Sequence, residues 1–174
     1  MDKLINKIFL FIEIVLIIVA FLVLFGDTLK VTAGISKTFT ASYYECVFGY
    51  KSNGYKYLEF SVGNFIVMAL VYISIIFGLL RIVLKRINTN VILKYVSAGL
   101  FIVTGFLLFF TDKFVNYNDH FDFKTNMLGV PVTAGVFLVI TGLLIIAGEV
   151  ITIIYSNRLT RKAKVKKIKN RNIK

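Results

Sequence analysis

The chain has 174 residues, 57% of them hydrophobic, a mean hydropathy of +0.80 and a net charge of +12. Soluble domains sit nearer about 45–50% apolar, so the composition argues against water as the main solvent, and the length suits one domain. One Cys, one Pro and no Trp exclude an intrachain disulfide framework and a cysteine-based structural zinc site. The abundance of Ile, Lys, Asn and Phe suggests an AT-rich genome, and a bacterial source is the expectation.

Four apolar stretches follow one another, at about 5–25, 62–80, 91–110 and 130–155. Each is near the roughly 20 residues that carry a helix across about 30 Å of hydrocarbon. Lipid offers no partner to an exposed backbone, which forces helix. The pattern therefore predicts an all-α membrane protein. It would be a four-transmembrane-helix bundle with a small extracytoplasmic β-hairpin or meander in the first outer loop, residues 27–61. Residues 1–156 would form the transmembrane domain and 157–174 a basic cytoplasmic tail. The first stretch is too long for a signal peptide, contains Glu13 and is followed by no Ala-x-Ala site, so it reads as an uncleaved helix.

Orientation follows the basic residues. Lys3, Lys7, Arg81, Lys85, Arg86, Lys94 and the tail share one side. The other holds Lys30, Lys37, Lys51, Lys56, Lys113 and Lys124, balanced by Asp27, Glu45, Glu59, Asp112, Asp119 and Asp122. The first side is expected in the cytoplasm, with both termini.

In the first outer loop, Tyr43 to Tyr50 and Tyr55 to Phe60 read as two strands of a hairpin around Asn53-Gly54, a pair suited to a type I′ turn. A turn there opposes Lys51 to Lys56; a turn at Ser52-Asn53 instead opposes Tyr50 to Tyr55, and the register stays open. Lys37 to Ala41 offers a third strand. Tyr43, Tyr44, Phe48, Tyr50, Tyr55 and Tyr57 are candidate partner-binding residues, with an interfacial aromatic belt as the plainer use. In the second outer loop the run from Asp112 to Asp122, with the only histidine, His120, is oxygen-rich. It lacks the glycine and glutamate of a calcium loop, and one histidine makes no zinc site, so a solvated loop and no metal are expected. Cys46 reads as a free small residue.

Four helices with a long first outer loop resemble the claudin-type tetraspan layout in topology. That family carries a tryptophan and a cysteine pair in the loop, where this chain has only Cys46, so no family is assigned. A single glutamate in the first helix is similar to the small multidrug-resistance transporters, which lack a large outer loop.

Small and hydroxyl residues recur at sevenfold spacing. They are Ala98 and Gly105 with Ser97 and Thr104, then Ala134, Thr141 and Gly148 with Gly135 and Gly142. They predict a close antiparallel interface between the third and fourth helices, or else a homodimer face. Glu13 and Glu149 lie inside spans, each about 9–10 Å from the cytoplasmic interface at 1.5 Å per residue. A charge at mid-membrane costs at least about 2.5–3.5 kcal/mol, so both need partners. Arg81 and Lys94 are the cations in reach, giving an intramembrane charged cluster. Its structural use is helix packing; its functional use is a proton or cation site. In the tail, Arg158, Arg161, Lys162, Lys164, Lys166, Lys167, Lys169, Arg171 and Lys174 suit anionic headgroups at the cytoplasmic face. Without aromatic residues there, nucleic acid is not the expected partner.

No catalytic motif is present, so no enzyme and no cofactor are expected. The leading expectation is a non-catalytic accessory, scaffolding or envelope-organising membrane protein acting through outer loop and tail. It would contact a membrane-protein partner or a second copy of itself. The alternative is a small proton- or cation-coupled transporter or channel using Glu13 and Glu149.

Overall fold

Alternation of apolar and polar residues along 27–33, Leu29 and Val31 inward with Lys30 and Thr32 outward, suits a half-buried strand. A computed structural model, describing residues 2–33, 37–83, 90–118 and 122–171, has a strand there. The element order is α1 (Asp2–Val23), β1 (Asp27–Ala33), β2 (Lys37–Ser42), α2 (Tyr43–Phe48), β3 (Tyr50–Ser52) and β4 (Tyr55–Glu59). Then come α3 (Val62–Val83), α4 (Asn90–Leu108), α5 (Thr111–Phe114), β5 (Asn116–Tyr117), β6 (Phe123–Met127) and α6 (Gly129–Arg171).

The all-α four-transmembrane-helix bundle is therefore corrected. The fold is mixed, with two antiparallel three-stranded sheets ordered β2-β1-β6 and β3-β4-β5. Among the described residues only Val62–Arg81 and Gly129–Ile154 are helical segments long and apolar enough to cross a membrane. The first and third predicted spans yield shorter apolar runs, Leu10–Leu22 and Ile92–Leu108, below the roughly 20 residues required. The helices that carry these runs extend further, α1 over 22 residues and α4 over 19, and each is closed by a turn in which Leu24 and Phe25, or Phe109 and Phe110, bond back three residues.

The predicted strand from Tyr43 to Tyr50 is also corrected, because Ser42 and Glu45 form a capping box. The Ser42 N–H donates to Glu45 Oε2 at 2.7 Å, and the Glu45 N–H donates to Ser42 Oγ at 3.4 Å. This satisfies first-turn donors and starts a helix. Gly49, at φ +96, ends it where a Cβ would lie 2.6 Å from the Leu58 carbonyl oxygen. The β3–β4 turn falls at Asn53 (φ 50) and Gly54 (φ 83), opposing Lys51 to Lys56. Lys56 offsets that repulsion with an exposed ion pair to Glu59 at 3.7 Å.

The segment between α4 and α6 supplies one strand to each sheet. β5 pairs with β4 (Leu58 opposite Tyr117), and β6 pairs with β1 (Val31 opposite Thr125). The sheets enclose a core of Leu29, Val31, Ala41, Cys46, Leu58 and Val115, flanked by Phe39 stacked on Tyr50 at 4.5 Å. Beneath this head lie the long helices, packed through Ile17, Ala20, Val71, Phe101, Leu108, Leu138 and Ile145. α4 and α6 run antiparallel with backbones in contact. A Cβ on Gly105 would sit 2.6 Å from the Gly135 carbonyl oxygen, a Cβ on Gly135 2.6 Å from that of Gly105, and a Cβ on Gly142 2.7 Å from that of Ala98. The small-residue stripe is thus occupied within the chain at Ala98, Gly105, Gly135 and Gly142, while Gly148 faces open space. α1 lies antiparallel across from α3, Phe21 meeting Tyr72 at 6.2 Å one end of the contact and Glu13 meeting Arg81 at the other.

Gly105→Leu is expected to lower the thermal unfolding midpoint through overpacking of about 1–3 kcal/mol. Gly99→Leu, whose site is open, should leave it nearly unchanged. Scanning both variants in the same detergent checks this, and equal midpoints would contradict the backbone contact.

Candidate functional site

Apolar side chains cover the outside of the helices, and the polar ones turn inward. Phe11, Ile18, Leu22, Ile66, Ile76, Ile92, Phe106, Leu143 and Ile154 are exposed, whereas Glu13, Arg81, Ser74, Ser97, Thr104 and Thr141 are buried. A buried charge is tolerated only when paired and hydrogen-bonded. Arg81, near the end of α3, donates through its guanidinium to Glu13 Oε2 of α1, with the side chains 9% and 6% exposed. Lys94, in the first turns of α4, donates to Glu149 Oε2 of α6, with side chains 29% and 12% exposed. The expected cluster is thus resolved into two separate pairs, one sealed and one with its lysine part-open. Both lie at the end of the helices away from the sheets. Arg81 Nε, also buried, has no partner among the described residues.

The remaining interior hydroxyls are satisfied close by. Ser74 donates to the Leu70 carbonyl at 2.7 Å and lies 3.0 Å from Thr104 Oγ1, joining α3 to α4. Thr141 bonds the Phe137 carbonyl at 2.7 Å, and Ser97 that of Lys94 at 2.9 Å. Local back-bonding of this kind lets a hydroxyl sit in an apolar interior without an outside partner.

A second polar centre joins head to helices. Asn64, fully buried in the first turn of α3, donates its side-chain amide to the carbonyls of Thr111 (3.2 Å) and Cys46 (3.5 Å). The Tyr43 hydroxyl donates to the Asn64 carbonyl at 3.2 Å. Ser61 Oγ accepts from the Asn64 N–H at 3.1 Å and donates to the Phe114 carbonyl. The sequence reading passed over Asn64 and Ser61; the available signal was an amide isolated in an apolar run, three residues after a capping serine.

The six aromatic candidates separate. Tyr43 and Tyr57 are buried in the core and Tyr50 is half-buried, which removes the first two from any partner face; Tyr44, Phe48 and Tyr55 are exposed. Missed beside them are Phe25, Phe60 and Phe65, also exposed and in ring contact with this group. Cys46 is fully buried, and desolvation, with a smaller push from Glu45, moves its thiol from 9.0 to about 12. Burial likewise raises the Tyr43 phenol, with Cys46 adding.

Asp119 and His120 lie outside the described residues, as do Lys85, Arg86 and Lys174. Among the described residues no group of three or more His, Cys, Asp or Glu is placed to hold a metal ion. Asp112 instead faces Lys113 at 3.6 Å. The backbone of the basic tail continues α6 as helix to Arg171. Arg158 is exposed; the side chains of Arg161, Lys162, Lys164, Lys166, Lys167, Lys169 and Arg171 lie outside the description.

Comparison with known proteins found no match: no family model, no characterised protein and no solved structure resembles the chain. Function must be argued from the chain's own geometry.

Glu13→Gln leaves Arg81 buried without its counter-ion and is expected to cost about 3–5 kcal/mol. Glu13→Leu combined with Arg81→Met should recover most of that loss, and thermal unfolding of the three proteins in detergent reads the difference. A single variant as stable as the parent would show that the pair contributes nothing. The Cys46 thiol, with its folded value above the unfolded one, stabilises the head fully below pH 9.0 and loses that contribution as pH climbs toward about 12. Alkaline titration of head unfolding should therefore fall less steeply just above pH 9 in Cys46→Ala than in the parent. Identical slopes would argue against an ionisable buried thiol.

Proposed function

We propose that the chain is a multi-pass protein of the cell membrane, held there by α3 and α6, with the basic tail at the end of α6 in the cytoplasm and the two-sheet head on the other side. Its role is non-catalytic: an accessory or scaffolding component of the envelope whose head meets a membrane-protein partner or a second copy. The observation that carries this reading is the inverted polarity of the helices. Large apolar side chains face outward along them while carboxylates and hydroxyls are paired inside, and water-soluble monomers rarely expose contiguous apolar surface beyond a few hundred Å². Support for the orientation comes from the basic residues, which collect at the helix ends away from the sheets, where anionic headgroups attract them at about 1 kcal/mol per charge. Support for an interaction role comes from the head itself, which has its own core and offers exposed residues on its strands and on α2.

A second reading, cation-coupled transport, is favoured by one feature, the part-open Lys94 beside Glu149. A photoreactive residue at Lys30 or Lys51, both exposed in the head, is expected to give discrete protein adducts in native membranes. Proteoliposomes of the purified chain are expected to show no cation flux under a pH gradient. Absence of adducts from both sites, together with flux abolished by Glu149→Gln, would replace scaffolding with transport.

A further inference from the structure

Exposed rings form a connected band where the head meets the helices. Phe25, just past α1, stacks on Tyr44 of α2 at 5.7 Å and 25°; Tyr44 stacks on Phe48 at 6.1 Å and 22°. Phe48 meets Phe60 at 6.3 Å and Phe65 of α3 at 6.4 Å, and these two meet each other at 5.7 Å. All five are 37–53% exposed, an unusual cost for rings that each bury a large area when covered.

The band has two distinct borders. On the helix side it continues onto α3, whose exposed apolar side chains include Val62 and Ile66 and, further along, Ile73 and Ile76. On the head side it gives way to the charged side chains of Lys51 and Lys56, both exposed, and Glu59, partly so. α2 is itself two-faced: Tyr43, Cys46 and Val47 point into the protein, and Tyr44 and Phe48 point away. The one polar group in the band, the Tyr44 hydroxyl, is hydrogen-bonded to the Tyr72 hydroxyl at 2.5 Å. An apolar, aromatic strip between a hydrocarbon-like surface and a charged one matches the layered polarity of a bilayer boundary, where aromatic rings concentrate.

We infer that α2 is an interfacial helix, and that the band of Phe25, Tyr44, Phe48, Phe60 and Phe65 seats the head in the headgroup–acyl boundary of the membrane leaflet on the head side. The occupant of this surface is lipid, because the band is one surface with the face of α3 that the proposed function already gives to lipid, on which reading this inference rests. The head is then fixed against the membrane plane, and only its sheets and the β3–β4 turn remain for a protein partner.

The chain contains no tryptophan, so a single introduced one reports its own surroundings. Three variants, Phe48→Trp, Ile73→Trp and Lys51→Trp, are reconstituted as full chains into phosphatidylcholine vesicles brominated either near the ester end or near the middle of the acyl chain. Phe48→Trp is expected to emit to the blue of Lys51→Trp and to lose most emission to the shallow bromines. Ile73→Trp should lose most to the deep bromines, and Lys51→Trp only to aqueous acrylamide. Phe60→Trp repeats the shallow measurement on a second ring, guarding against local disruption of α2. Phe48→Trp and Phe60→Trp that behave like Lys51→Trp while Ile73→Trp stays lipid-quenched would overturn the seat alone, leaving the band in water for a protein partner. Loss of lipid quenching at Ile73→Trp as well would overturn the membrane reading together with it.

Discussion

Contact between the backbones of α4 and α6 sets the geometry of everything else in the molecule. With Gly105 against Gly135 and Gly142 against Ala98, the two helices approach so closely that any side chain at those glycines would collide with main chain. Close approach through small residues brings the two main chains into direct van der Waals contact along this seam. The same register carries Lys94 to Glu149 and holds the opposite ends of α4 and α6 where β5 and β6 can reach the two sheets.

Against that fixed pair, α1 and α3 are tied by more specific means. Their shared ion pair, Glu13 with Arg81, joins them at one end, and Phe21 with Tyr72 joins them at the other. At the head end, Asn64 and Ser61 bind α2, α3 and α5 through main-chain carbonyls. Polar groups here act as directional ties inside an otherwise greasy assembly. Each is costly if left unmade, which gives the arrangement its specificity.

Much of this was written in the residue pattern and some was not. The sevenfold stripe of small residues marked the α4–α6 face, and the isolated carboxylates marked the positions of both ion pairs, because in each case a single local property carries the information. Which cation meets which carboxylate was not legible, since it depends on how helices far apart in sequence are arranged. The all-α four-span bundle failed for a different reason: composition reports greasiness and not strand pairing, and the segments between the apolar runs fold into two three-stranded sheets. The strand assigned to Tyr43–Tyr50 ignored a capping signal at Ser42 and Glu45 already present in the letters. β6 was missed because Phe123–Met127 has only its pairing with β1, nearly a hundred residues away, to make it a strand.

That distant pairing has a consequence for biosynthesis. Each sheet holds two strands made early and a third made only after α4 is complete. Closing so large a loop carries an entropic cost that no short-range contact repays. A ribosome partway through the message would therefore expose two open-edged hairpins, each lacking the ribbon that finishes it. Strands β5 and β6 act as a late clasp, and the head is complete only once the chain beyond α4 has been made.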